Sequence, residues 1–173
     1  MTQTIEFLRS KNCLSGFRCG VKEIDQFCKK AFKKHNQPEP PYRVRVLYDD
    51  DEAVGMYTLS MSTPNENGRV LDTKSVYSGT SVFLYLDHLA VAASRRGEGA
   101  SNKLMVSLIE NLNSTLSSFG SVFAVALNAA DKDAVSFFEK WGFVRASDSE
   151  TPFMVMDRAS VMALWQQILD VED

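Results

Sequence analysis

Arg95-Arg96-Gly97-Glu98-Gly99-Ala100-Ser101 is the stretch on which the reading of this 173-residue chain turns. Before it comes VFLYLDHLAVA, residues 82–92, the longest near-continuous apolar run, interrupted only by Asp87 and His88. Its β-branched and aromatic content predicts a central strand buried on both faces. After it, Leu104, Leu108 and Leu112 recur at i, i+4 and i+8 with Met105 and Ile109 beside them, which predicts a helix over 100–116. The quoted stretch is therefore a strand-to-helix turn. Its glycines allow a tight bend and a close approach to a ligand. N–H groups at a helix start favour an anion such as a pyrophosphate, and two arginines add permanent positive charge. G-x-G followed by Ala-Ser, late in the chain, does not match the dinucleotide fingerprint. The structural alternative is a surface turn with ordinary glycines.

Working outward, residues 4–8 alternate weakly as a first strand, and 21–35 read as a helix with Ile24, Phe27, Cys28 and Phe32 on one face. Three prolines in 37–41 end that helix. Residues 43–48 and 53–61 form a predicted hairpin around the acidic turn 49–52. The polar segment 62–80 reads as a long connection. Further on come a buried strand over 121–127, a helix over 132–141 capped by Asp131 and ended by Gly142, and a strand over 152–156. An amphipathic helix over 159–169 carries Val161, Leu164, Trp165 and Ile168. The pattern is α/β, in one domain over 1–173, with 158–173 as a C-terminal helical extension.

Composition is globular, at 45% hydrophobic and 24% charged, which excludes a disordered or low-complexity chain. The net charge of −3 hides an asymmetry. Residues 1–48 carry ten Lys/Arg against four Asp/Glu, and residues 49–173 carry nine against eighteen. No apolar window is long enough to span a membrane, and the N-terminus lacks a signal-peptide core, so a cytoplasmic protein is expected. Cys13, Cys19 and Cys28 read as free thiols. Two histidines and no Cys/His cluster leave no metal site expected.

These motifs resemble the GNAT superfamily of acetyl-CoA-dependent N-acetyltransferases. Arg96-Gly97-Glu98-Gly99-Ala100-Ser101 is similar to its [Arg/Gln]-x-x-Gly-x-[Gly/Ala] loop, with Ser101 at the last position. Leu86-Asp87-His88-Leu89-Ala90-Val91 is similar to the strand before that loop. Ala134-Val135-Ser136-Phe137-Phe138-Glu139-Lys140-Trp141-Gly142-Phe143 resembles the A-x-x-F-Y-x-x-x-G-F signature. Phe17-Arg18-Cys19-Gly20, Ile24-Asp25-Gln26-Phe27 and Gly55-Met56-Tyr57-Thr58-Leu59-Ser60 resemble one branch, which includes the acetyltransferase toxins of bacterial toxin–antitoxin operons. The resemblance covers about residues 4–157. It implies the GNAT (acyl-CoA N-acyltransferase) fold, a central mixed, mostly antiparallel sheet flanked by helices. It also implies acetylation of the α-amine of aminoacyl-tRNA, which blocks translation, with a small ribbon–helix–helix antitoxin as partner and often a homodimer.

Acetyl transfer from a thioester to an amine needs the two groups held together, a donor for the oxyanion and a proton for the leaving thiolate. The resemblance places the cosubstrate on Leu89, Ala90, Val91, Arg95, Arg96, Gly97, Glu98, Gly99, Ala100 and Ser101, with a backbone N–H at Leu89–Val91 as oxyanion donor. The family's proton donor is the second aromatic of its F-Y pair, which here is Phe138, and phenylalanine has no proton to give. Two explanations compete: a natural chain with another donor or none, or a tyrosine whose hydroxyl has been removed.

Asp87 or His88 could take the amine's proton, and Asn128 could hold the pantetheine arm; each could equally be a satisfied structural residue. Tyr57 reads as packing, Cys19 as structural rather than nucleophilic, and Trp141 as core. Lys29, Lys30, Lys33, Lys34 and His35, with Arg43 and Arg45, could follow an RNA backbone, or be a solvated face. Two alternatives to the tRNA substrate stay open. One is a GNAT acting on a protein or small polyamine, which the acidic residues 49–173 would suit. The other is an acyl-CoA-binding module without turnover.

Overall fold

The computed structural model describes residues 3–62, 82–120, 122–146 and 151–172. Seven strands form one sheet in the order β1-β2-β3-β4-β5-β7-β6. The strands are β1 (Gln3–Phe7), β2 (Arg43–Asp49), β3 (Glu52–Ser62), β4 (Val82–Val91), β5 (Val122–Asn128), β6 (Val144–Arg145) and β7 (Phe153–Asp157). Among the described residues four α-helices accompany the sheet: α1 (Lys22–His35), α2 (Ala100–Ser118), α3 (Lys132–Lys140) and α4 (Arg158–Glu172). The pair β4–β5 is parallel, as a strand–helix–strand crossover requires, whereas β1–β2, β2–β3, β5–β7 and β6–β7 are antiparallel. This is the mixed, mostly antiparallel α/β sheet expected from the sequence.

The chain separates into two compact units, Met1–Ser60 with Asp87–Leu108, and Met61–Leu86 with Ile109–Asp173. In the first unit, Val44, Val46 and Tyr48 of β2, Met56 of β3 and Ala90 of β4, with Ala92 just beyond β4, pack with Cys28 and Ala31 of α1. Leu8, Leu14, Phe17 and Cys19 from the N-terminal segment close this core. The β2–β3 turn places Asp50 at φ 54°, a left-handed conformation that Asp tolerates better than most residues.

In the second unit, Phe83 and Tyr85 of β4 pack with Ala124 and Ala126 of β5, and Phe153 and Val155 of β7 lie against them. The Asp131 carboxylate accepts the Ala134 N–H at 2.7 Å, the expected N-cap of α3. Gly142 at φ 90° ends that helix and turns the chain into β6. A two-residue strand has no alternation to detect, so β6 escapes sequence reading.

Two expectations change in detail, and a third is not tested. β4 is enclosed on both faces only over Phe83–Leu86; Asp87, His88 and Leu89 are half-buried. Trp141 is half-buried rather than core, whereas Leu104, Met105, Leu108, Ile109 and Leu112 are all fully enclosed. The long connection expected over 62–80 lies outside the described residues, apart from Ser62 at the end of β3.

Candidate active site

β4 ends where the Ala92 N–H donates to the Val54 carbonyl at 2.8 Å. A single 3₁₀ turn, Ala93–Arg95, follows, and α2 starts at Ala100. Between them Gly97 and Gly99 stand at φ 83° and 79°. A Cβ at either would meet nothing within 4 Å, so these positions need glycine for their backbone conformation and not for room. The Asn102 and Lys103 N–H groups both turn back to the Gly99 carbonyl. The amides before them, at the mouth of a 19-residue helix, have no acceptor within that helix. Arg96, Gly97, Glu98 and Gly99 are exposed, Ser101 is half-buried and Ala100 is buried.

The N-terminal segment braces this loop. The Ala93 N–H donates to the Arg18 carbonyl at 2.8 Å, and the Arg96 guanidinium donates to the Cys19 carbonyl. The Cys19 N–H is held by the Asp25 carboxylate at 2.8 Å, a bond that keeps this carboxyl below its ordinary range. Phe17 and Cys19 are buried and Gly20 takes φ 87°. The Phe17–Gly20 and Asp25 motifs are thus one clasp beneath the loop. Gly55 contributes by its smallness: a Cβ there would lie 2.8 Å from Leu104 Cδ1 and 3.0 Å from the Ala90 carbonyl oxygen.

The two arginines have different surroundings. Arg95 is ringed by carboxylates, with Nη2 at 2.5 Å from Asp49, Nη1 at 3.2 Å from Glu52 and Nε at 2.7 Å from Glu98. These bonds raise its basicity and hold Asp49 below the usual carboxylate range. Arg96 has no carboxylate partner among the described residues. Asp49 and Glu52 were missed in the sequence, because nothing local marks a contact across more than forty residues.

On β4, Leu89 and Val91 are half-buried and Ala90 is buried. Asp87 is half-buried and, after burial itself, is the cause that raises the Tyr42 phenol. The His88 ring stacks on Phe27 at 4.1 Å between centroids, and its Nδ1 lies 2.9 Å from the Thr58 hydroxyl. Burial lowers the His88 imidazole, so it is neutral near neutral pH. Pairing between β4 and β5 runs from Val82 to Tyr85 and stops, although both strands continue.

Asn128, the last residue of β5, pairs with Phe153. Its side-chain oxygen accepts the Tyr85 hydroxyl, and its amide nitrogen donates to the Thr151 carbonyl at 3.5 Å. Phe138, on α3, is 8% exposed, with Phe137 and Phe143 edge-on at 5.2 Å and 5.5 Å.

Lys29, Lys30, Lys33 and Lys34 are exposed, and their spacing sets them within one sector about 140° wide. Arg43 is exposed, and the half-buried Arg45 lies over the Phe7 ring at 4.4 Å. His35 does not join them. It is 5% exposed, and its Nδ1 accepts the Val44 N–H at 3.0 Å, which requires the neutral ring. Desolvation first, and Arg43 second, lower its basicity further.

The three cysteines are free thiols. Burial raises Cys19, and it pushes Cys28 to about 12, so neither is poised as a nucleophile. Tyr57 is buried with its hydroxyl 3.2 Å from Ser107 Oγ, a packing position. A cavity of about 600 Å³ opens among Asn12, Cys13, Arg18, Asp51, Glu52 and Ser94. Phe17 and Arg18 of the N-terminal motif and Cys13 line it, but none of the residues expected to hold the cosubstrate does. Two carboxylates on its wall suit an anion poorly, so the helix-start loop remains the candidate site. Among the described residues no metal-binding cluster occurs, and no helix is long and apolar enough to cross a membrane.

Comparison with known proteins agrees with this fold. Three solved structures share the fold. The Y-to-F mutant of the toxin KacT has a TM-score of 0.77 at 22% identity, covering 95% of this chain and 99% of that one. A Y-to-F mutant of the toxin AtaT, bound to the C-terminus of the antitoxin AtaR and acetyl-CoA, has a TM-score of 0.75 at 20% identity, covering 96% and 100%. AtaT complexed with acetyl-methionyl-tRNAfMet has a TM-score of 0.75 at 20% identity, covering 95% and 99%. No curated protein sequence matches significantly. The model of the acetyltransferase (GNAT) domain matches residues 17–153, most of the chain and all of the loop, strand and helix described above, so the chain belongs to the GNAT acetyltransferase family.

Proposed function

We propose that this protein transfers the acetyl group of acetyl-CoA to a primary amine, the α-amine of an aminoacyl-tRNA, and so blocks translation as a toxin. The observation that carries this reading is the loop Arg96–Ser101. Its positive-φ glycines lead directly into the amides of a long helix, a receptor for the pyrophosphate of the cosubstrate. AtaT, of the same fold, is known with acetyl-methionyl-tRNAfMet, which supports the tRNA substrate.

Arg95, Arg96, Gly97, Glu98, Gly99, Ala100 and Ser101 form the nucleotide end of the site, and Leu89, Ala90 and Val91 the acyl end. The amine nitrogen attacks the thioester carbonyl carbon, and the oxyanion takes a hydrogen bond from a backbone N–H at Leu89–Val91. Asp87 receives the proton that the amine loses. Asn128 orients the pantetheine arm through its amide, already fixed by Tyr85. As the tetrahedral intermediate collapses, the C–S bond breaks and the thiolate leaves. Phe138 stands where the family supplies the proton for that sulfur, so this step runs without its usual acid. Lys29, Lys30, Lys33, Lys34, Arg43 and Arg45 follow the tRNA phosphates. A ribbon–helix–helix antitoxin, a homodimer and a cytoplasmic setting complete the proposal.

The test is mass spectrometry of charged tRNA incubated with acetyl-CoA and either the unsubstituted chain or Phe138→Tyr. The tyrosine variant should acetylate faster by a factor on the order of 10²–10⁴. Unchanged turnover would point to another acid. Acetylated polyamine or protein in place of tRNA would favour the second reading, for which the acidic balance of residues 49–173 speaks. Binding of acetyl-CoA with no acetylated product in either variant would leave an acyl-CoA-binding module.

A further inference from the structure

Arg95 and Arg96 read alike in the sequence, as two cations beside an anion loop, but their surroundings differ. Three nitrogens of Arg95 are each committed to a different carboxylate, and these come from three places in the chain. Asp49 ends β2, Glu52 begins β3 and Glu98 lies within the loop itself. The Arg95 side chain is 19% exposed and that of Asp49 only 7%, so the central pair is largely shielded from water. One positive charge among three negative ones leaves a net negative cluster, which cannot attract a pyrophosphate. Arg96, by contrast, has no carboxylate partner among the described residues and is anchored through a neutral carbonyl.

From this geometry we infer that Arg95 is a positioning residue and not a phosphate ligand. Its guanidinium ties the loop to the β2–β3 turn and screens the Glu98 carboxylate, so that the amides of Gly97–Ser101 are presented to the cosubstrate's phosphates. Arginine suits this role because its planar fork spreads donors over three nitrogens and so reaches three separate carboxylates, whereas a lysine's three donors converge on one nitrogen. The inference rests on the acetyl-CoA reading of the loop, and the experiment separates the two.

Isothermal titration of the full chain with coenzyme A, and with pantetheine as a probe lacking the nucleotide and pyrophosphate, is run on the unsubstituted chain, Asp49→Asn and Arg95→Lys. If Arg95 were a phosphate ligand, Asp49→Asn would release it and tighten coenzyme A binding. As a positioning residue, its loss of anchor should weaken coenzyme A binding about tenfold, the scale of one charge-assisted contact. Arg95→Lys should weaken it similarly despite keeping the charge. It also reports on the tether should Asp49→Asn fail to fold. Pantetheine binding should stay unchanged in both variants. Tighter or unchanged coenzyme A binding would overturn the inference, and so would an equal loss for pantetheine, which marks general damage to the fold. An unsubstituted chain that binds no coenzyme A would refute the acetyltransferase reading itself, and this inference with it.

Discussion

Gly99→Ala isolates the backbone conformation of the loop from every other property of the site. Gly99 stands at φ 79°, and an added Cβ meets nothing within 4 Å, so the substitution introduces no clash. What it introduces is left-handed strain, about 1–2 kcal/mol for a residue with a Cβ. That energy has two outlets. If the loop keeps its shape, the strain is borne by the folded state, and for a chain of this size the melting temperature falls by about 2–8 °C. If the loop relaxes instead, the melting temperature holds. The amides then leave their binding orientation, and acetyl-CoA affinity falls by about five- to thirtyfold. Differential scanning calorimetry and isothermal titration on the same sample read both outlets. Gly120→Ala is the control: it also has open space around its added Cβ, without a positive φ, and should change neither quantity. Two results would refute the reasoning. One is a Gly99→Ala protein with natural melting temperature and natural acetyl-CoA affinity. The other is a Gly120→Ala protein that loses as much.

Acidification should destabilise the fold through His35. Its folded basicity is held below the ordinary value of 6.5, so the unfolded chain takes up a proton that the native state refuses. This contribution is complete above about pH 6.5 and is lost as pH falls through 6.5 toward the lowered folded value, so thermal melts should drop from about pH 7.5 to about pH 5.5. His35→Gln should flatten that dependence, and an equally steep profile in the variant would count against it. Charge reversal at Lys33 and Lys34 should weaken tRNA binding and reduce the slope of log affinity against log salt by about two. Electrophoretic mobility shifts over a salt series read this directly, and unchanged affinity would remove the α1 face from the interface.

Much of the architecture was legible because it is written in local repetition. The Leu104/Leu108/Leu112 stripe, the apolar run of β4 and the Asp131 cap each need only neighbours within a few residues, and each was found where the period placed it. The strand-to-helix loop was legible for the same reason, since strand, glycines and helix start are consecutive. What escaped were relations without a local pattern. β6 is too short to show alternation. His35 looks like one more cation on a basic helix until the Val44 N–H is seen on its ring. Arg95 looks like its neighbour Arg96 until Asp49 and Glu52 are brought against it. Cys19 was correctly read as structural, but its role in bracing Arg96 through a carbonyl has no side-chain signature.

The sequence by itself determined the α/β order, the family motifs of loop and helix, the free thiols and the missing hydroxyl at Phe138. Each of these depends on residue type and on spacing along the chain. The tertiary structure alone decided which charges are available. A guanidinium's field depends on what stands within a few ångströms of it, and that set is assembled from β2, β3 and the loop only when the sheet forms. Hence two adjacent arginines become different objects, one enclosed by three carboxylates within a tether and one set against a neutral carbonyl, and a helix histidine leaves the basic face for the core.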